Sequence, residues 1–140
     1  MPANPGLTAT LHNLMVVRKP GAPQPYLHLF LTPTVGGLGG NVAFRYVGST
    51  VSATAQETFT PSTEWTYGSW HFVAASWQAS GGRIEVSLSI DGRPAKTDFD
   101  TTEPFALDAS AEILLGQETA SFNEAEGAFD ELEFSSAVLS

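Results

Sequence analysis

Two antiparallel β-sheets packed face to face, an all-β sandwich, is the fold class this sequence predicts, and three observations carry that prediction. Ile84, Val86, Leu88 and Ile90 alternate with Arg83, Glu85, Ser87, Ser89 and Asp91, the period-two pattern of a strand with one face in a core. Short apolar runs of this kind are separated by Pro, Gly, Ser and Thr clusters at roughly ten-residue intervals. No window of about ten residues carries convincing helical periodicity.

Taken in order, Leu7 to Leu11 and Asn13 to Arg18 are short apolar runs that end at the turn region Pro20-Gly21-Ala22-Pro23-Gln24-Pro25. Leu27, Leu29 and Leu31 alternate with Tyr26, His28 and Phe30, a strand apolar on both faces. Val35 to Gly40 is a Gly-rich hairpin region leading into Val42, Phe44 and Tyr46, which alternate with Ala43, Arg45 and Val47. Thr50 to Thr60 is a weaker Ser/Thr/Val strand, and Glu64-Trp65-Thr66-Tyr67-Gly68 reads as a turn.

From Trp70 onward the pattern sharpens. Trp70, Phe72 and Ala74 face one way and His71, Val73 and Ala75 the other, so both faces carry apolar residues and a central strand is expected, with Trp70 in the core. Asp91-Gly92 favours the positive-φ turns that join antiparallel neighbours, so Arg93 to Phe99 is the returning partner of Ile84–Ile90. In the last segment, Ala128 to Phe134, Phe129 is out of phase with Leu132 and Phe134. A β-bulge at Asp130-Glu131 would restore the frame. Leu29, Phe44, Trp70, Phe72, Val86, Leu88, Leu115 and Leu132 are the expected core.

Four segments together, Trp70-His71-Phe72-Val73-Ala74, Ile84 through Asp91-Gly92, Ile113-Leu114-Leu115-Gly116-Gln117-Glu118, and Gly127-Ala128-Phe129-Asp130-Glu131-Leu132-Glu133-Phe134, resemble the second half of a laminin-G-like or pentraxin domain. The resemblance implies the concanavalin-A-like jelly roll and a recognition role, in adhesion or lectin-like binding. It is sharpest to pentraxins at Trp70–Gly82, Ala111–Glu118 and the exit Val138-Leu139-Ser140. The first half matches less well: Met15-Val16-Val17-Arg18-Lys19 resembles the family's apolar-apolar-x-Lys strand, and little before Leu11 could supply both strands that normally precede it. A truncated or rearranged version is therefore expected, with the final strand seeking a neighbour in Leu7–Leu11 or in a second copy.

In pentraxins the Gly-Gln-Glu segment is followed by Gln-Asp, and these groups help to hold calcium. Here Glu118 is present, but Thr119 and Ala120 follow, and the Pro20–Pro25 loop, where the family has an Asp-Asn pair, has no acid. Calcium takes six to eight oxygen ligands, with several carboxylates among them. The resemblance thus implies a weak site at most, centred on Glu118, with Asn123, Glu124 and Glu126 as the groups that could complete it.

Composition sets outer limits. A chain of 140 residues fits one domain, expected here to be part of a longer protein. It has no Cys, which excludes disulfides and thiolate metal sites. Residues 1–19 lack the basic start and apolar run of an export signal, and no apolar stretch approaches a membrane span. Net charge is −9, from 15 acidic and 6 basic residues, which disfavours nucleic acid and anionic lipid. Most of the acidic residues fall after Lys96, where a solvated surface is the plain explanation.

Enzymatic readings find little support. The glucanases of this superfold place two carboxylates about 5–5.5 Å apart on a Glu-x-Asp-x-Glu strand, and around Asp130 the required positions hold Ala128 and Leu132, Phe134 or Ser135. Glu131 and Glu133 share a face, which an acidic edge strand explains as well. His12, His28 and His71 lack metal-ligand spacing, and no Ser sits in a Gly-x-Ser-x-Gly elbow. A nucleophilic triad would need a Ser and an Asp brought together in space. His71 is expected to pack or hydrogen-bond within the sheet.

The expected function is non-catalytic recognition of a glycan or a protein surface, extracellular or at the cell surface, with weak calcium assistance. Trp65, Tyr67 and Gln117 are the expected ligand contacts, the aromatic rings stacking on sugars. The competing class is an assembly domain that forms homo-oligomers through an open sheet edge. An exposed aromatic with polar neighbours favours the first, and an open edge or large apolar patch the second.

Overall fold

A computed structural model describes residues 12–21, 26–32, 40–59, 69–101, 109–116 and 129–135. These residues contain eight strands and no helix: β1 (His12–Arg18), β2 (Tyr26–Thr32), β3 (Gly40–Val47), β4 (Ser52–Phe59), β5 (Val73–Ser80), β6 (Arg83–Ile90), β7 (Lys96–Thr101) and β8 (Glu112–Leu115). All pairings are antiparallel, in a five-stranded sheet of order β4-β3-β2-β1-β8 and a three-stranded sheet of order β5-β6-β7.

The period-two pattern explains the packing. Leu27, Leu29 and Leu31 of β2, Val42, Phe44 and Tyr46 of β3, and Ile84, Val86, Leu88 and Ile90 of β6 all point into one buried cluster between the sheets. Phe44 pairs across the ladder with Ala55, and Tyr46 with Ala53, so large and small side chains share each level of the core. A bulge between Asn13 and Met15 re-phases β1, which places Met15 and Val17 in the cluster and which alternation in the sequence does not reveal.

Two hairpins follow turn chemistry. Gly81 and Gly82 lie at φ 60° and 75°, joining β5 to β6 with Ser80 opposite Arg83. Asp91 and Gly92 lie at φ 52° and 74°, the positive-φ pair expected between β6 and β7. β7 begins at Lys96 rather than at Arg93. Pro94 has no N–H to give to the ladder, which suits its position outside it.

One side of the sandwich is closed by carboxylates. Asp98 Oδ2 accepts the Thr54 N–H at 2.8 Å and Asp100 Oδ2 the Ser52 N–H at 3.3 Å, covering outward amides of edge strand β4. Glu57 of β4 meets Arg93 at 3.3 Å and Lys96 at 3.9 Å, joining the same two edges. Part of the acidity that reads as surface solvation thus guards a sheet edge.

Half of the expected core list requires correction. Leu29, Phe44, Val86 and Leu88 are buried, whereas Trp70 is 68% exposed and Phe72 71%. The register explains this: Val73 pairs with Ile90, Ala75 with Leu88 and Trp77 with Val86, so the odd-numbered residues of β5 face the core and Trp70 and Phe72 precede them on the opposite phase. Trp77 takes the core role expected of Trp70, its ring centroid 6.4 Å from that of Phe44. Nor is β5 central; among the described residues it pairs with β6 alone.

Leu115 lies across from Met15 on the core side of β8, yet at the margin of the sheet it is 38% exposed. Leu132 is 51% exposed, and residues 129–135 form no strand, so the expected final strand is not present over its described part. Glu131 there has φ 51°, and its N–H donates to Asp130 Oδ1 at 2.9 Å. The irregularity expected at Asp130-Glu131 is a local turn geometry and not a bulge in a ladder. The reading of Glu131 and Glu133 as one face of a strand falls with it.

Candidate functional site

The outer face of the three-stranded sheet is where the described residues gather groups suited to binding. Trp70 and Phe72 stand exposed at one end, ahead of β5. At the other end, exposed Phe99 of β7 lies under the Arg83 guanidinium, 3.6 Å from guanidinium carbon to ring centroid. Arg83 also donates to Glu85 Oε2 at 3.1 Å. Gln78, Ser80, Arg83 and Glu85 line a shallow hollow at the Phe99 end, because Gln78 pairs with Glu85 at the level of Phe99 and Ser80 with Arg83 just beyond.

The ladder sets the spacing of these groups. Phe72 bonds at the level of Asp91, just past the end of β6, and Phe99 pairs with Glu85 six residues earlier, or about 20 Å along a strand. Aromatic rings at both ends, with amide, hydroxyl, guanidinium and carboxylate groups gathered at the Phe99 end, can stack on rings and read hydroxyls along an extended ligand.

A second polar cluster sits beside this face. Asp91 Oδ1 accepts the Phe72 N–H at 2.9 Å, and Asp91 Oδ2 lies 2.9 Å from His71 Nδ1. Ser69 Oγ lies 2.9 Å from His71 Nε2. Partial burial pushes the Asp91 carboxyl up, but the hydrogen bonds from His71 and the Phe72 amide, with the charges of His71 and Arg93, outweigh it and hold the group below its ordinary value. His71 thus bonds within the sheet region as expected, and the fold supplies the Ser and Asp that no sequence spacing indicated.

On the five-stranded sheet, His28 and Asn13 form a buried pair on the face away from the core, His28 Nε2 donating to Asn13 Oδ1. Burial, then the nearby Arg45 charge, lowers the His28 pKa from 6.5 to about 4, so the ring is neutral at physiological pH. Its partners and burial mark it as structural.

Trp65, Tyr67 and Gln117, expected to contact ligand, and Glu118, Asn123, Glu124 and Glu126, expected around a cation, lie outside the described residues. Among the described residues, no three His, Asp or Glu side chains gather as a metal cage. The exposure of Trp70, Phe72 and Phe99 escaped the pattern of alternation. One signal could have found it: a two-residue turn at Gly81-Gly82 puts Ala79 opposite Ile84, and so forces Val73, Ala75 and Trp77 onto the core face.

Comparison with known proteins agrees with this architecture. A family model of the laminin G type, described as the Concanavalin A-like lectin/glucanases superfamily, matches residues 13–140. The chain belongs to this superfamily. No curated protein and no solved structure matches it. The superfamily accounts for the two antiparallel sheets and fits a recognition module. Laminin-G-type domains are generally non-catalytic.

Proposed function

We propose that this domain recognises a glycan through the outer face of β5, β6 and β7. The observation that carries the reading is the exposure of Trp70, Phe72 and Phe99 on one face with Gln78, Ser80, Arg83 and Glu85. Large aromatic rings contribute strongly when buried, so three left in water beside polar groups suit a ligand that covers them. Trp65, Tyr67 and Gln117 are further ligand contacts in this proposal. Calcium assists weakly, through Glu118 with Asn123, Glu124 and Glu126. The setting is extracellular or at the cell surface, and binding, not turnover, is the output.

A glycan array run on the whole chain with calcium, and again with chelator, tests the proposal. Binding that Trp70→Ala weakens about tenfold or more, the equivalent of 1.4 kcal/mol, supports it; binding untouched by Trp70→Ala and Phe72→Ala refutes this face as the site. Signal lost only with chelator would move the centre of binding to the cation groups.

A second reading has its own observation. Ile113 and Leu115 sit on the core side of β8 but remain exposed, at the outer margin of the five-stranded sheet. A second copy adding a strand there would bury both and form a homodimer. A mass that halves on dilution in light scattering, together with a Leu115→Lys variant that stays monomeric, would favour this reading.

A further inference from the structure

We propose that Ser69 is an activated nucleophile, with His71 as its general base and Asp91 as the positioning residue, reactive toward carboxylic esters with good leaving groups and toward their phosphonyl analogues. The atoms are the right ones. Asp91 Oδ2 faces His71 Nδ1 and Ser69 Oγ faces His71 Nε2, each at 2.9 Å. An ionised carboxylate only accepts, so Nδ1 carries the imidazole proton and Nε2 is left with its lone pair toward the serine hydroxyl. The hydroxyl therefore donates to Nε2, the arrangement in which a base can take its proton.

The carboxylate is itself held. Asp91 Oδ1 accepts the Phe72 N–H at 2.9 Å, and the Asp91 N–H donates to the Phe72 carbonyl at 2.8 Å. Its backbone lies in the positive-φ turn that starts the β6–β7 hairpin. Ser69 is exposed, as attack on an external substrate requires, while the His71 side chain is only 12% exposed. A hairpin clamp needs the His71–Asp91 pair alone. The serine on the far nitrogen adds nothing to that clamp and completes a nucleophile.

In the acylation step the Ser69 Oγ proton passes to His71 Nε2 as Oγ bonds to the ester carbonyl carbon. The bond from that carbon to the leaving oxygen then breaks, and the imidazolium gives its proton to the departing alkoxide or phenoxide. Water, deprotonated by the same Nε2, attacks the acyl-serine, releases the carboxylic acid and restores the hydroxyl. A positioned base supplies about 10²–10⁴-fold, enough for an activated ester and far short of what an amide demands. The proposal is independent of glycan binding on the neighbouring face.

A fluorophosphonate probe applied to the folded chain, with the adduct located by peptide mass mapping, tests it. One adduct on Ser69 is expected, absent in Ser69→Ala and formed about 10²-fold or more slowly in His71→Gln. Asp91→Asn keeps an oxygen for the Phe72 N–H but turns an amide N–H toward Nδ1, so labelling should fall similarly in a chain that the thermal melt still shows to be folded at the assay temperature. No Ser69 adduct would overturn the proposal. So would equal labelling of folded and urea-unfolded chain, a comparison that needs no variant to fold.

Discussion

The two sheets treat their outer faces differently. On the five-stranded sheet, Val16, His28, Phe30 and Ala43 point away from the core cluster and are nevertheless buried, whereas the three-stranded sheet leaves Trp70, Phe72 and Phe99 in water. Hydrophobicity alone does not separate them, since both faces carry large aromatics. What differs is burial: the first face contributes to stability, and the second remains available to a ligand.

The sharpest way to break this comparison is to truncate one aromatic of each kind. Phe44→Ala, in the shared core, should cost about 3–5 kcal/mol, while Trp70→Ala should stay within about 0.5 kcal/mol of the parent in urea denaturation. Equal losses would place Trp70 in a packed environment and remove the main support for the binding face.

His28 sharpens the contrast from the buried side. Its pKa is about 4 in the folded chain against 6.5 as the ordinary value, so below pH 6.5 the unfolded chain binds the proton that the folded chain refuses. Stability should therefore fall as pH drops from 6.5 to 4, by about 3 kcal/mol in all, and level off below as far as this group is concerned. Denaturant midpoints across that range, for the parent and for His28→Gln, check it. A variant with the same pH slope would show that His28 is not the titrating group. Asp91 acts in a lower window: its depressed value contributes stability above its unfolded pKa that is lost as pH falls through the folded one.

A smaller loss is expected on the closed side of the sandwich. Asp98→Ala removes the acceptor for the Thr54 N–H and should cost about 1–2 kcal/mol. It also bares part of edge strand β4, so a rise in mass by light scattering is expected. Unchanged stability would mean that water replaces the carboxylate at no cost.

Much of this fold is legible in residue order because it rests on local rules. The β6 alternation, the Asp91-Gly92 turn and the core faces of β2 and β3 follow from the period-two geometry of strands and the φ preferences of turn residues. Trp70 and Phe72 depart from the expected core because the segment before and within β5 is apolar on both phases, so alternation does not say which phase meets the core. Leu115 follows the alternation and is still exposed, since it lies at a sheet margin. The Ser69–His71–Asp91 array depends on a hairpin turn returning to a segment twenty residues earlier, and no short motif encodes that.

By itself, then, the sequence determined the all-β class, the positions of most strands and turns, and the superfamily. These depend on backbone sterics and on patterns within a few residues. Only the tertiary structure decided which phase of β5 enters the core, which edge the acidic residues guard, and that a serine, a histidine and an aspartate meet. Each of those is set by pairing between distant strands, where one residue of register moves every side chain to the opposite face.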